Sequence, residues 1–227
     1  MKILVLISGG IESTTCLALA VKKVGAENVE TISVNYGQKH IKELNAVKNI
    51  CEYYKVNNET IDLSNILKYS NCSILSHSNI EVEEADFESQ KLKAGDDTIS
   101  SYVPFRNGLM LSAAASYALS KDCSIIYYGA QSNDKYNNTY PDCNLDFITN
   151  MNNAIYKGTG DKIYLEAPLI DLNKTEVVKL GLELKVPYKY TWSCYQGKER
   201  ACGKCGTCID RINAFKNNGL EDEIDYE

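Results

Sequence analysis

The most constraining feature of this chain is its opening. Lys2–Ile7 carries five consecutive apolar residues, Ile3-Leu4-Val5-Leu6-Ile7, and stops at Ser8-Gly9-Gly10. Such a run has no polar side to offer water. As a strand it must be covered on both faces, which is the situation of a parallel sheet between two helix layers. Thr14–Val24 then reads as a helix, with Leu17, Ala20, Val21 and Val24 at helical spacing. The alternation continues: strands at Val29–Val34, Thr60–Leu63, Ser124–Tyr128 and Ile163–Leu165, helices at His40–Tyr54, Asn107–Leu119, Leu145–Tyr156 and Thr175–Leu184. Strands alternating with helices give βαβ units, hence an α/β fold with a parallel β-sheet and helices on both faces.

Charge and cysteine usage narrow the class. Lys and Arg total 24 against 30 Asp and Glu, a net charge of −6, which disfavours a whole-surface nucleic-acid binder. The opening apolar run is too short for a secretory signal, and no stretch approaches the roughly 18 apolar residues of a membrane span. A soluble, cytoplasmic protein with no membrane partner is expected. At 227 residues the chain can bury a sizeable core without disulfide staples. Of nine cysteines, five are scattered, whereas Cys194, Cys202, Cys205 and Cys208 crowd together, pointing to metal or catalysis before disulfides.

Two stretches break the rhythm. Residues 64–102 are polar, acidic and weakly periodic, the character of a lid or a solvated surface insertion. The acidic tail, Glu221–Glu227, is expected to fray.

Ser8-Gly9-Gly10-Ile11-Glu12-Ser13-Thr14 joins the first strand to the first helix. Glycines there allow positive φ and let backbone amides approach an anion. The helix start adds unsatisfied N–H groups and the positive end of its dipole, and Ser8, Ser13 and Thr14 add hydroxyls. The combination suits phosphate or pyrophosphate; a mere tight turn is the alternative. It is neither the lysine-bearing phosphate loop nor the G-x-G-x-x-G fingerprint.

Cys194, Cys202, Cys205 and Cys208 supply four thiolates, with Gly203 and Gly206 relieving the turns between them. This donor set suits a closed, structural tetrahedral Zn²⁺ site, one per chain. An iron–sulfur cluster is the rival, since it uses similar spacings. Lys198, Arg200 and Lys204 would offset the negative charge. A helix from about Thr207 to Lys216 follows, so the metal would pin the C-terminal segment to the sheet domain.

In order along the chain stand the Ser8–Thr15 loop, Asn35-Tyr36-Gly37-Gln38-Lys39-His40, Tyr102-Val103-Pro104-Phe105-Arg106-Asn107, Tyr140-Pro141-Asp142-Cys143, Ala167-Pro168-Leu169 with Asn173-Lys174-Thr175-Glu176, and the Ser193-Cys194-Tyr195 cysteine cluster. The loop resembles the S-G-G-x-D-S loop of the PP-loop ATP pyrophosphatases. The whole series resembles the 7-cyano-7-deazaguanine synthases. The resemblance implies an adenine nucleotide alpha hydrolase-like fold. Residues 1–190 would be the ATP-binding α/β domain, with an insertion near 64–102, and residues 191–227 a small zinc-binding segment with a C-terminal helix. It further implies ATP with Mg²⁺, a 7-deazaguanine substrate, ammonia and a homodimer. The reaction would be two adenylations, carboxylate to amide and amide to nitrile.

By the same resemblance, Ser8, Gly9, Gly10, Glu12, Ser13 and Thr14 hold the ATP phosphates, with Lys174 reaching them as a point charge. A solvated helix-start lysine is the alternative. Arg106 would make a bidentate contact to carboxylate or phosphate, or else a surface salt bridge. Asp142 is expected at the N–H edge of the guanine-like ring, and Tyr140 to stack on it or pack in the core. Tyr36, Gln38 and Asn107 complete the substrate set, while His40 reads as a cap or surface group. The chain departs from the family pattern at Glu12 (usually Asp), Phe105 (usually Gly) and Asn144 (commonly Arg), and in the asparagine-rich 131–139 stretch. These departures leave two other readings: transfer of the adenylated carboxylate to another amine, on a protein acceptor in a phage-defence setting, and a zinc-containing binding module without catalysis.

Overall fold

The computed structural model describes residues 1–39, 42–95, 97–132, 140–196 and 199–227. His40, Lys198 and most of the asparagine-rich stretch lie outside the described residues. Five strands, β1 (Ile3–Leu6), β2 (Val29–Asn35), β3 (Asn57–Asp62), β4 (Ile125–Tyr127) and β5 (Tyr164–Glu166), form one sheet in the order β3-β2-β1-β4-β5. Every pairing is parallel, with Ile3 opposite Val29 on one side and Ile125 on the other. The opening run is therefore the centre of the sheet. Its residues divide between two cores: Ile3, Val5 and Ile7 pack with α1 (Ile11–Val24), α2 (Lys42–Tyr54) and α7 (Lys174–Glu183), whereas Leu4 and Leu6 face α5 (Arg106–Ser120) and α6 (Leu145–Gly158). Each fully buried Ile or Leu contributes about 1.5–3 kcal/mol relative to exposure, which is why this strand tolerates no polar face.

Helix α1 starts at Ile11, three residues before the position read from the apolar spacing, with Gly10 as N-cap. Glu12, Ser13 and Thr14 are thus first-turn residues, presented at the helix's positive end. A capping box fixes the start of α7: Asn173 Oδ1 accepts from Glu176 N at 3.0 Å and Glu176 Oε2 accepts from Asn173 N at 2.8 Å. Lys174 is thereby held as the first helical residue. Asn144 caps α6, its Oδ1 accepting from Phe147 N at 2.8 Å.

Residues 64–102 are not a solvated excursion. They contain α3 (Ser64–Leu67) and α4 (Phe87–Ala94), and they bury Leu67, Cys72, Ile74, Leu75 and Ile99. Backbone bonds from Lys39 N to Ile74 O (2.8 Å) and Ser76 N to Gly37 O (2.8 Å) tie the segment to the turn after β2. Farther along, Phe87 and Gln90 pack on Gly206, the first residue of α8 (Gly206–Asn217); a Cβ there would stand 3.0 Å from the Phe87 ring.

The tail is likewise anchored rather than frayed. Arg211 on α8 is fully buried; its Nε donates to Asp222 Oδ2 at 2.6 Å and its Nη2 to Asp222 Oδ1 at 2.9 Å. Ala201 N donates to Asp225 O (3.0 Å), and Glu227 N to Ala201 O (2.9 Å), which pairs the tail with the cysteine loop. Among the described residues no helix is long and apolar enough to cross a membrane.

Candidate functional site

A cavity of about 270 Å³ opens at the carboxyl ends of β1, β2 and β4. The chain leaves β1 towards β2 on one side and β4 lies on the other, so this is the switch point of the sheet, where open α/β folds take ligands. Leu6, Ile7, Ser33 and Val34 line its inner edge, and Tyr128–Ala130 follow β4 along the wall.

The glycine loop forms one side. Ser8 Oγ and Ser13 Oγ lie 3.1 Å apart, and Ser8 N donates to Ser13 Oγ at 3.1 Å. Gly9 has φ +80° and its missing Cβ would fall 2.7 Å from Glu43 O, so α2 packs directly on the loop and only glycine fits. Trp192 N donates to Gly9 O at 2.9 Å, fastening the loop from the C-terminal side. Ser8, Gly10, Glu12 and Ser13 line the cavity. Gly9 and Thr14, expected at the phosphates, do not: Gly9 is turned to α2, and Thr14 is fully buried with its hydroxyl donating to Gly10 O at 2.7 Å. Both shape the loop instead of facing its contents.

Lys174 reaches this loop from α7 and forms an ion pair with Glu12 inside the cavity. Its side chain is only 13% exposed, which removes the solvated-lysine alternative. Asp210, on α8, lines the same wall. Burial raises its carboxyl, with Lys174 acting in the opposite sense and Glu12 in the same sense.

The opposite wall is aromatic and cationic. Arg106 stands over the Tyr36 ring at 4.9 Å, and its Nε is buried with no hydrogen-bond partner among the described residues. It is a cavity group, not a surface salt bridge. Tyr140 OH lies 2.8 Å from Ser101 Oγ, and its ring meets Phe87 edge-on at 6.1 Å. Burial raises Tyr140 to about 12 and Tyr195 well above the ordinary phenol range, so both stay neutral. Gln38 also lines the cavity, its Oε1 accepting from Tyr36 N at 2.9 Å, while Asn107 Nδ2 donates to Cys143 Sγ at 3.0 Å.

Asp142 stands elsewhere. It is buried and absent from the cavity wall, and its Oδ2 accepts from Asn107 N at 2.8 Å, occupying a donor at the start of α5. The carboxyl on this wall is Glu43, in the first turn of α2, pushed up to about 8 by burial against the opposing effect of Arg106. Sequence reasoning missed Glu43, Asp210 and Phe87; a first-turn glutamate and a residue two after a cysteine carry no distinctive pattern.

The four cysteine sulfurs lie within 4.8 Å of one another, all buried, with Cys202 and Cys208 Sγ 3.9 Å apart. One ion with metal–sulfur bonds of about 2.3 Å puts tetrahedral sulfurs roughly 3.8 Å apart. A cubane cluster, with irons and sulfides between its cysteines, needs a wider cage than this. Backbone N–H groups of Gln196 and Cys202 point at Cys194 Sγ (3.4 Å each), and those of Lys204 and Cys205 at Cys202 Sγ (3.4 and 3.3 Å). Such donors stabilise thiolates, so the residues fit a single metal ion. Ser193, Tyr195 and Thr207, which flank these cysteines, line the cavity: the cluster braces one wall of it.

A five-stranded parallel sheet with a serine–glycine loop opening its first helix at the switch point defines a PP-loop-like nucleotide-binding protein. Solved structures agree on the fold: NMN synthetase from Francisella tularensis matches with TM-score 0.50 and 15% identity, over 97% of this chain and 78% of that one. Glutamine-dependent NAD⁺ synthetase from Acinetobacter baumannii, in complex with ADP, matches with TM-score 0.51 and 16% identity, over 83% and 31%. The family model for the queuosine biosynthesis protein QueC matches residues 2–219, and the chain belongs to that family. It is 42% identical to the 7-cyano-7-deazaguanine synthase of Caldicellulosiruptor saccharolyticus, over 100% of this chain and 96% of the relative. It is 42% identical to that of Picrophilus torridus, over 98% and 90%, and 40% identical to that of Oceanobacillus iheyensis, over 99% and 98%.

Proposed function

We propose that this chain is an ATP-dependent ligase that makes 7-cyano-7-deazaguanine from 7-carboxy-7-deazaguanine and ammonia. The observation that carries the reading is the single cavity in which the serine–glycine loop, Lys174 and the Arg106–Tyr36 wall meet. An adenylating enzyme needs a phosphate site and a carboxylate site within one such space.

A carboxylate oxygen of the substrate attacks the α-phosphorus of ATP and pyrophosphate leaves. Ammonia then forms the C–N bond, and AMP departs with the C–O electron pair, leaving the amide. In the second round the amide oxygen attacks a further ATP; loss of AMP and of the nitrogen-bound protons gives the nitrile. In this reading Ser8, Gly10, Ser13 and the first-turn N–H groups of α1 cradle the phosphates. Lys174 supplies a point charge to the pyrophosphate as it develops. Arg106 orients the carboxylate, with Asn107 beside it, and Tyr36, Gln38 and Tyr140 enclose the base. Mg²⁺ would neutralise phosphate charge, with Glu12 and Asp210 as the available carboxylate ligands. Zn²⁺ on Cys194, Cys202, Cys205 and Cys208 would hold the C-terminal segment and take no part in the chemistry. Two chains working as a homodimer in the cytoplasm follow from the family resemblance.

The test is mass spectrometry after incubation with 7-carboxy-7-deazaguanine, Mg-ATP and ammonium, with AMP quantified in parallel. Nitrile with two AMP per product is expected. AMP without nitrile would overturn the acceptor assignment, and no AMP would overturn the ligase reading.

A further inference from the structure

We propose that Asp222, in the C-terminal tail, is a positioning residue for the nucleotide loop, acting through Arg211 and Trp192 to hold Gly9 in place. The inference rests on the ATP reading of that loop. It extends the site to a residue beyond 219, where the match to the family ends.

Arg211 is fully buried on α8 and makes five hydrogen bonds, as many as a guanidinium has N–H donors. Two go to Asp222, from Nε to Oδ2 at 2.6 Å and from Nη2 to Oδ1 at 2.9 Å. The other three go to the segment that follows α7: Tyr188 O at 3.2 Å, Thr191 Oγ1 at 2.8 Å and Ser193 Oγ at 3.4 Å. Thr191 and Ser193 stand on either side of Trp192, whose N donates to Gly9 O at 2.9 Å. One carboxylate, one guanidinium and one backbone N–H thus connect the tail to the turn that shapes the phosphate loop. Asp222 is held in turn by Tyr226, whose hydroxyl donates to Oδ2.

The geometry asks for this acid in particular. A bidentate carboxylate fixes the plane of the guanidinium, and with it the direction in which Nη1 meets the Thr191 and Ser193 hydroxyls. Asp222 is the ion-pair partner of Arg211 among the described residues, and its side chain is 4% exposed. A buried guanidinium deprived of its counter-charge draws in water or moves, and either displaces the groups it holds. Ser193 and Trp192 line the cavity, and Ser193 O accepts from Thr207 Oγ1 at 2.8 Å, so the displacement reaches the cavity wall as well as Gly9.

Stability and positioning can be separated. Replacing a buried ion pair by apolar side chains of similar volume often leaves a protein as stable as before. No apolar pair can direct hydrogen bonds to Thr191 and Ser193. The relay therefore predicts a chain that folds normally and binds nucleotide poorly.

The experiment is calorimetric titration of wild type, Asp222→Asn, Tyr226→Phe and the double variant Arg211→Met/Asp222→Leu. The ligands are α,β-methylene ATP with Mg²⁺ and, separately, 7-carboxy-7-deazaguanine, at a temperature where circular dichroism shows each protein folded. Trp192 is the one tryptophan of the chain and lines the cavity, so its emission reports the relay directly. Asp222→Asn should weaken the ATP analogue by about tenfold or more, while affinity for the deazapurine, held on the opposite wall, stays within about twofold. Its Trp192 emission should be shifted before any ligand is added. Tyr226→Phe keeps the ion pair and should show the same changes in smaller measure. The double variant leaves no charge unpaired, so it should melt near wild type and still bind the ATP analogue as weakly as Asp222→Asn. It carries the comparison if Asp222→Asn does not fold. Wild-type affinity for the ATP analogue in the double variant overturns the proposal, as does equal weakening of both ligands in every folded variant. A wild type that binds the deazapurine but not the ATP analogue overturns the nucleotide reading itself.

Discussion

Lys174 and Glu12 meet as an ion pair inside the cavity, with side chains 13% and 19% exposed. The pair joins the first turn of α7 to the first turn of α1, so two helix N-termini converge on the same space. Removing an electrostatic group aimed at developing phosphate charge costs about 10²–10³ in rate. Lys174→Ala should therefore lower kcat for AMP formation by about 100-fold with an unchanged fold by circular dichroism. Glu12→Asp shortens the reach by a methylene but keeps the charge, and should retain activity within about tenfold. Equal AMP formation in Lys174→Ala and wild type would remove Lys174 from the phosphate site.

Phe105 and Gly108 should be coupled. Phe105 caps α5 in the left-handed region, φ +53° and ψ +25°, a conformation costing a non-glycine residue about 1–2 kcal/mol. Its ring covers Gly108, where a Cβ would stand 2.4 Å from it, and meets Phe147 edge-on at 6.0 Å. Gly108→Ala would gain about 1 kcal/mol of helix propensity but must displace the ring. The substitution is expected to destabilise the wild type and to stabilise a Phe105→Gly background, a change of sign that urea unfolding of the four-protein cycle reads directly. Additive effects would mean that the ring moves aside freely.

Metal removal should act on stability and catalysis together. Thr207 Oγ1 lies 3.3 Å from Cys205 Sγ and donates to Ser193 O at 2.8 Å, so the cysteine cluster and the cavity wall share atoms. A Cys205→Ser chain or one stripped by a chelator should lose the bound metal by elemental analysis. It should also melt at a lower temperature and lose ATP turnover in proportion. Full turnover by a metal-free chain would detach the cluster from the site.

Asp142 offers a test of position against motif. Its carboxylate accepts from Asn107 N, so Asp142→Ala leaves that buried donor unpaired at about 1–3 kcal/mol. The expected result is a lower melting temperature with the KM for the deazapurine unchanged at a temperature where the variant is folded. A large rise in KM without loss of stability would return Asp142 to the substrate edge.

What the sequence discloses and what it hides follows from the kind of signal each feature leaves. The central strand is legible because burial on both faces forbids polar residues, and Ile3–Ile7 contains none. The metal cluster is legible because its donors are close in sequence. The insertion is not: Cys72, Ile74, Leu75 and Ile99 are buried from irregular backbone, where neither period 2 nor period 3.6 exists to be read. The tail reads as acidic and free, because the partner of Asp222 is a buried arginine eleven residues upstream and charge pairing leaves no trace in composition. Motif order brought Asp142 to notice, but a motif does not state which way a carboxylate points.

Glu43 gives the last prediction, in which a carboxyl on the cavity wall is held at a cost in stability. An ordinary glutamate ionises near 4.3 in the unfolded chain, whereas burial raises Glu43 to about 8 in the folded one. Between those values the native state binds more protons than the unfolded state. The slope of unfolding free energy with pH is then negative: stability is greatest at the acid end of the interval and falls as pH rises through 8. Arg106 softens the fall without reversing it. Glu43→Gln has no proton to lose and should be free of this contribution. Melting curves of the two proteins should lie close together near pH 5 and separate towards pH 9, with the variant the more stable. Parallel curves across the range would mean that Glu43 is solvated in the folded protein.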